Sequence, residues 1–276
     1  MRFLTVAAVA ALAIQSANAQ GNETLDRVKV LRAAADALGM VRWADIGNGG
    51  TRLPGIDVIN TMEFQGSGTT FSGGQTLKTE YRASLGYNPA AMRVEMTRTG
   101  AAGAPQHSIQ TVRENNAWNE SEAGAGLIAG KGTATPAADT LKDRLLQLWT
   151  LPYGVVKAAL AAGDKTTVST ESGATIIRFP LSGQLAGIAV KATLDSKNFV
   201  TKVETRPDNA ALPNLAIEME YSDYSDHGEI LTDIKSPGRI VHRKGGRVVL
   251  DIQVKTWEAN NPYLVFPVPA NVTGPR

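Results

Sequence analysis

The 276-residue chain contains no cysteine, which excludes disulfides and the lipid-bearing cysteine that tethers exported bacterial lipoproteins. Histidine is scarce too, because His107, His227 and His242 are the three in the sequence. A multi-histidine metal site therefore has little support. Twenty-eight Lys and Arg stand against 26 Asp and Glu, and no basic run occurs, so nucleic-acid binding has no support.

The N-terminus carries a long apolar run. Arg2 precedes the stretch Phe3–Ile14, and the small-residue site Ala17-Asn18-Ala19 follows. The run is about twelve residues, whereas a membrane-spanning helix needs about twenty. We therefore predict a cleavable signal peptide at 1–19 rather than a membrane anchor, a mature chain beginning at Gln20, and a periplasmic location.

Sequence motifs for catalysis or cofactor binding are missing. No Gly-x-Ser-x-Gly nucleophile motif is present. The segment Gly126–Thr133 resembles a phosphate-binding loop, but its glycine spacing is one residue short and Gly132 replaces the required Ser or Thr. We interpret it as a flexible hinge and predict no cofactor and no enzymatic activity.

The richest polar cluster is Asp223–Glu229, which includes Asp226 and His227. Its carboxylates and imidazole could bind a metal ion. Asp, Ser, His and Gly between two alternating segments are also ordinary turn residues, and we favour a hairpin turn and no metal site.

Hydrophobic periodicity predicts one helix followed by antiparallel strands. Apolar residues recur at three- and four-residue intervals over Thr24–Leu38, before Gly39. Beyond the turn Gly47–Gly50, the period changes to two, and no helix long enough for a parallel crossover separates the segments. The predicted strands of this first series are 57–64, 79–85, 92–98 and 108–114.

A small-residue loop, Gly124–Thr135, precedes a predicted helical insertion at about 136–163. Its first helix is expected over Pro136–Leu148 and its second begins at Pro152 and ends by Gly163. Period two then returns in segments at 166–169, 175–181, 188–194, 199–206, 215–221, 239–242 and 247–257. One face of this sheet is polar and the other apolar, which predicts a single α+β domain over 20–276.

The C-terminal part resembles a known family. The residues that carry the resemblance are Tyr221-Ser222-Asp223-Tyr224, the segment from Pro237 to Gly246, Val254–Asn260 and Phe266-Pro267-Val268-Pro269. They are similar to the closing strands of the outer-membrane lipoprotein carrier superfamily. The resemblance implies a curved antiparallel half-barrel whose N-terminal helix and central helical lid lie over an apolar cavity.

Similar C-terminal segments accompany exported metallo-β-lactamase-fold hydrolases. This chain lacks their His-x-His-x-Asp-His motif, so it would correspond to the non-catalytic module. The resemblance assigns no residue to the arginine by which such carriers hold the lid.

Two functions remain open. The first is a carrier or sensor for a lipid, an acyl chain or another apolar ligand, with transient membrane contact. The second is an accessory subunit that docks an envelope protein. The same apolar helices could instead simply close the core. For a carrier, the predicted ligand-binding residues are Leu141, Leu145, Leu148, Trp149, Val155 and Leu160 on the lid, with Met62, Phe64, Ile217 and Met219 on the sheet.

Overall fold

The computed structural model describes residues 25–41, 43–44, 51–52, 59–100, 103–206, 215–226 and 233–273. The predicted signal peptide, the turn at 47–50 and His227 lie outside the described residues.

Within the described residues, thirteen strands form one open sheet in which every neighbouring pair is antiparallel. The strands are β1 Thr61–Ser72, β2 Gln75–Tyr87, β3 Ala90–Thr99, β4 Gln106–Arg113, β5 Asn116–Glu120, β6 Ala134–Pro136, β7 Thr167–Glu171, β8 Ala174–Pro180, β9 Ala189–Leu194, β10 Val200–Thr205, β11 Ile217–Ser222, β12 Arg239–Lys244 and β13 Arg247–Ala259. Two-residue strands pair 43–44 with 51–52, and 225–226 with 235–236.

The strand order makes the helical insertion cross the sheet. β1 to β6 run outward to one edge, β7 to β13 run back from the other edge, and β13 pairs with β1 in the middle. The chain between β6 and β7 therefore connects opposite edges. Two helices of this connection contact the sheet, α2 on β3, β4 and β5, and α3 on β8.

The three α-helices of the described chain are α1 Arg27–Ala37, α2 Leu141–Trp149 and α3 Pro152–Ala161. The Asp26 carboxylate caps α1 by accepting from the backbone N–H groups of Val28 and Lys29. Pro152 occupies the first turn of α3, where its missing N–H costs nothing. α1 packs on α3 and β7, and so completes one helical layer.

The expected helix start at Pro136 is wrong. Ala134–Pro136 is edge strand β6, Ala138–Thr140 is a short 3₁₀ turn, and α2 begins at Leu141. Proline lacks a backbone N–H, so an edge strand accommodates it as well as a helix start does.

In the middle of the sheet, the backbones of β1 and β13 approach each other closely. The pairing of β13 with β1 shifts register between Val254 and Thr256. A Cβ atom on Gly68 would lie 2.0 Å from the Asp251 carbonyl oxygen, and one on Gly66 would lie 2.4 Å from that of Gln253. Glycine is therefore required at both positions, and such a bulge with close contacts bends a sheet.

The sheet curves enough to bring its two wings together. Gln184, in the β8–β9 loop, donates from Nε2 to Asn115 Oδ1 in the β4–β5 turn at 2.9 Å. These two loops belong to strands near opposite edges of the sheet. α2 and α3 lie between the wings, and their side chains join those of the sheet in one buried core.

The two halves of the outer face differ. Over β7 to β13 it carries alternating charges, including contacts of Lys191 with Glu171 and Glu204 at 3.4 and 3.6 Å. At one end of β2 and β4 the C-terminal segment packs on it, where Phe266 lies beside Gly86 and the Arg113 guanidinium donates to the Phe266 carbonyl at 3.0 Å. No helix of the described residues is long and apolar enough to cross a membrane.

Candidate functional site

An apolar cleft of about 270 Å³ opens where α2 and α3 meet the β8–β9 loop. Most of its accessible lining is carbon. The lining residues are Ala90, Glu114, Asn115, Leu145, Trp149, Ala158, Ala161, Ala162, Pro180, Leu181, Ser182, Gly183, Gln184 and Leu185.

The sequence of the two helices creates this space. Leu145 and Trp149 are four residues apart on α2 and therefore share one face. Opposite them lie only the methyl groups of Ala158 and Ala161 on α3 and of Ala162 directly after it. A large residue facing small ones leaves a gap that close packing does not fill.

Trp149 forms one wall of the cleft and is half-buried. Its ring packs against Tyr87 with centroids 5.6 Å apart, and the Lys157 ammonium lies 5.0 Å from the Tyr87 ring centroid. These contacts fix the indole while leaving one side of it open to the cleft.

The other side of the helices is core. Leu148 and Val155 have no exposed surface. Leu141 and Leu160 are half-buried and pack on the same core. Of the six residues predicted for the lid, the structure thus brings only Leu145 and Trp149 to the cleft.

The four predicted sheet residues lie elsewhere on the inner face. Met62 and Phe64 are buried in the core, where the Phe64 ring packs against Trp257 at 4.4 Å. Ile217 and Met219 line a separate cavity of about 170 Å³ on the far side of α2.

Arg144 holds α2 against the sheet, and the sequence analysis missed it. Its Nη1 donates to the carbonyl oxygens of Thr111 at 2.9 Å and Trp118 at 2.5 Å, and its Nη2 donates to Asn119 Oδ1 at 2.6 Å. Burial lowers the pKa of Arg144 to about 10, which Asp139 partly opposes. The guanidinium thus stays charged at neutral pH. No sequence signal marks this role, because two of its acceptors are backbone carbonyls.

Three buried tyrosines also tie the insertion to its surroundings. The Tyr221 hydroxyl donates to the Thr150 carbonyl at 2.7 Å, and the Tyr153 hydroxyl donates to the Lys235 carbonyl at 2.6 Å. Tyr81 accepts from Gln147 Nε2 at 3.0 Å. Burial raises the pKa of all three phenols, so their hydroxyls stay protonated and neutral.

A buried carboxylate, Glu120, organises the outer face. Its Oε1 accepts from Trp118 Nε1 at 2.9 Å and from Thr111 and Arg93 at 3.0 Å. Its Oε2 accepts from the Gly124 N–H at 2.7 Å, which fixes the start of the loop after β5. All of these bonds satisfy the carboxylate locally, so we assign it a structural role.

No group of three or more His, Asp or Glu that could hold a metal occurs among the described residues. His107 Nδ1 lies 3.2 Å from the Thr97 hydroxyl on the outer face. His242 lies inside, and burial, aided by Lys244, lowers its pKa to about 4. Asp226 pairs with Lys235 in a short ladder, while its neighbour His227 is outside the described residues.

Comparison of the sequence with protein-family models and with curated proteins gave no match.

Proposed function

We propose that this chain is an exported, non-catalytic binding protein that holds a lipid, an acyl chain or another apolar ligand between a half-barrel sheet and a lid formed by α2 and α3. The observation that supports this most strongly is the cleft of about 270 Å³ beside Trp149. Binding of an apolar ligand in such a cleft is favourable, because the ligand displaces water from apolar surface.

The lid role is supported by the way the helices are attached. α2 and α3 form the single connection between the sheet edges, and the Gly124–Gly132 segment precedes them. Four glycines of that segment have positive φ, a conformation that glycine reaches at least cost. Arg144 is the positioning residue that would have to release its carbonyl acceptors for the helices to move.

A filling substitution tests the cleft. Ala161 lines the cleft yet is exposed on α3, so Ala161→Trp should add bulk there without disturbing the core. We expect it to abolish binding of the apolar dye N-phenyl-1-naphthylamine, measured by fluorescence titration. Tyr263→Ala, which removes an exposed aromatic residue remote from the cleft, is the matched control and should bind as the wild type does. Unchanged dye binding by Ala161→Trp would remove the cleft from the proposal.

The export part of the proposal has its own test. Protein recovered from the periplasmic fraction should have the intact mass of a chain that begins at Gln20. Solvent extraction of the same sample, followed by mass spectrometry, should release an apolar compound. A membrane-bound product that retains Met1 would contradict export, and repeated extracts without any apolar compound would weigh against a carrier.

A second candidate function, docking to another envelope protein, is favoured by exposed apolar side chains on the outer face. Ile128 is 62% exposed, Tyr263 is 88% exposed and Val265 is 67% exposed. Their two segments meet where Gly126 approaches Pro269. Crosslinking from position 128 in cells should then capture one defined partner. If no specific product forms, docking is contradicted and ligand binding is the one candidate function that is left.

A further inference from the structure

A second cavity system lies on the other side of α2 from the cleft. Its inner part, about 170 Å³, is lined by both polar and apolar groups. Those on which the argument depends are Arg144, Gln147, Ile217, Met219, His242 and Lys244.

This inner cavity continues into a wider hollow of about 370 Å³ on the inner face of the sheet. The two share Gln147, His242 and Lys244, which marks the junction between them. The hollow reaches the β1–β2 hairpin, and its walls include the apolar side chains of Met96 and Leu250. The system therefore has a polar junction and a hollow whose walls combine apolar side chains with Arg98 and other polar groups.

Positive charge exceeds negative charge around the system. Lys244 and Arg98 line the hollow, and Arg144 lines the inner cavity, against one carboxylate, Asp143. Lys244 Nζ lies 3.9 Å from Asp143, and both side chains are partly exposed. Arg98 forms no ion pair with another described residue, and its Nη2 contacts the Met96 sulfur at 3.2 Å.

Arg144 adds to this imbalance. Its three hydrogen bonds all go to neutral oxygens, and Asp139 acts on its charge only through space, without a hydrogen bond. A charge in a partly buried cavity attracts an anion more strongly than it does in bulk water.

The junction also offers unused hydrogen-bonding capacity. Nε2 of His242 is buried and has no partner in the described part of the chain. An unpaired buried polar atom costs free energy that a bound polar group would recover. His242 and Lys244 are two residues apart on β12, so their side chains lie on the same face.

From these observations we propose that the system is a second ligand site, separate from the cleft, for a single-chain amphiphile with an anionic carboxylate head. The head lies at the junction beside Lys244 and His242. The chain extends along Met96 and Leu250 toward the β1–β2 hairpin.

The test compares a fatty acid with its uncharged ester. cis-Parinaric acid and its methyl ester are titrated at low ionic strength into the wild-type protein and into Lys244→Gln. Lys197→Gln removes the same charge from an exposed turn and is the control. We expect the wild type and the control to bind the acid about fivefold more tightly than the ester, and Lys244→Gln to lose that preference. Added salt should reduce it.

The outcomes separate this site from the cleft. Acid binding that survives Ala161→Trp but weakens in Lys244→Gln supports a second site, even if the cleft proves empty. Acid binding that is abolished by Ala161→Trp and unaffected by Lys244→Gln would place the acid in the cleft and overturn the proposal. Equal affinity of the wild type for acid and ester would overturn it as well.

Discussion

The two sides of the α2–α3 pair are built from similar apolar residues but have different surroundings. Leu148 and Val155 face the sheet and are fully buried, as core residues are. Trp149, the next residue after Leu148, is half-buried and faces the cleft. An apolar stripe on a helix therefore does not by itself distinguish a face that packs in the core from one that borders an open cleft. The distinction comes from what each side of α2 faces. One side packs in the core, and the other faces three alanines across the cleft.

The largest expected effect is on the core side. Leu148→Ala should lower the free energy of unfolding by about 2 to 5 kcal/mol, because it removes buried carbon and leaves a void. Leu141→Ala, on the half-buried start of α2, is the comparison and should cost clearly less. Denaturant unfolding measures both. A loss below 1 kcal/mol for Leu148→Ala would mean that the core side is not close-packed.

Acidic pH should lower the free energy of unfolding, because His242 is buried on the inner face of the sheet. The pKa of His242 is lowered to about 4 by burial, against 6.5 in the unfolded chain. Between these values the unfolded state binds more protons, so stability falls as pH drops from 6.5 through 4. The loss is at most about 3 kcal/mol.

His242→Asn should flatten the pH dependence of thermal unfolding in this window. The carboxylates of Asp26 and Glu171 have lowered pKa values, so their contributions are lost only at lower pH. An unchanged slope in the variant would show that His242 is not the titrating group.

Arg144 joins the two sides, since it anchors the helix that carries both. Arg144→Met keeps much of the packing but removes three hydrogen bonds, which should cost about 1.5 to 3 kcal/mol. Lys142→Met, on the exposed face of α2, is the matched control. Hydrogen exchange should show faster exchange in α2 and α3 for Arg144→Met only. Faster exchange spread over the whole sheet would indicate that Arg144 is a general core residue.

The fold was largely predictable where burial alternates along a strand. β11 alternates buried Ile217, Met219 and Tyr221 with Glu218 and Glu220, as the period-two pattern predicts. The antiparallel sheet and the α+β class follow from such segments.

Strands β5 and β6 were missed for a physical reason. In β5, Trp118 and Glu120 are buried on the outer face, beneath the turns that follow β5 and the C-terminal segment. The inward-facing Asn119 meets Arg144 instead of an apolar side chain. Since Ala117 is buried in the core on the inner face as well, residues on both faces of β5 are buried and the period-two pattern is obscured, and β6 has only three residues.

The site was less predictable than the fold. Helical periodicity predicted Leu145 on the apolar stripe of the first helix, with Trp149 beside it, but the loop at 181–185 and the alanines of α3 carry no sequence signal for a cleft. Their juxtaposition depends on the curvature that brings Gln184 to Asn115, which is a long-range property.

The paired measurement of stability and binding for Trp149→Ala tests the central claim most directly. Because Trp149 borders open space, its removal should lower the free energy of unfolding by less than about 2 kcal/mol, below the 3 to 5 kcal/mol typical of a buried tryptophan. The same variant should bind N-phenyl-1-naphthylamine much more weakly than the wild type. A large loss of stability, together with no dye binding by the wild type, would show that α2 and α3 only close the core.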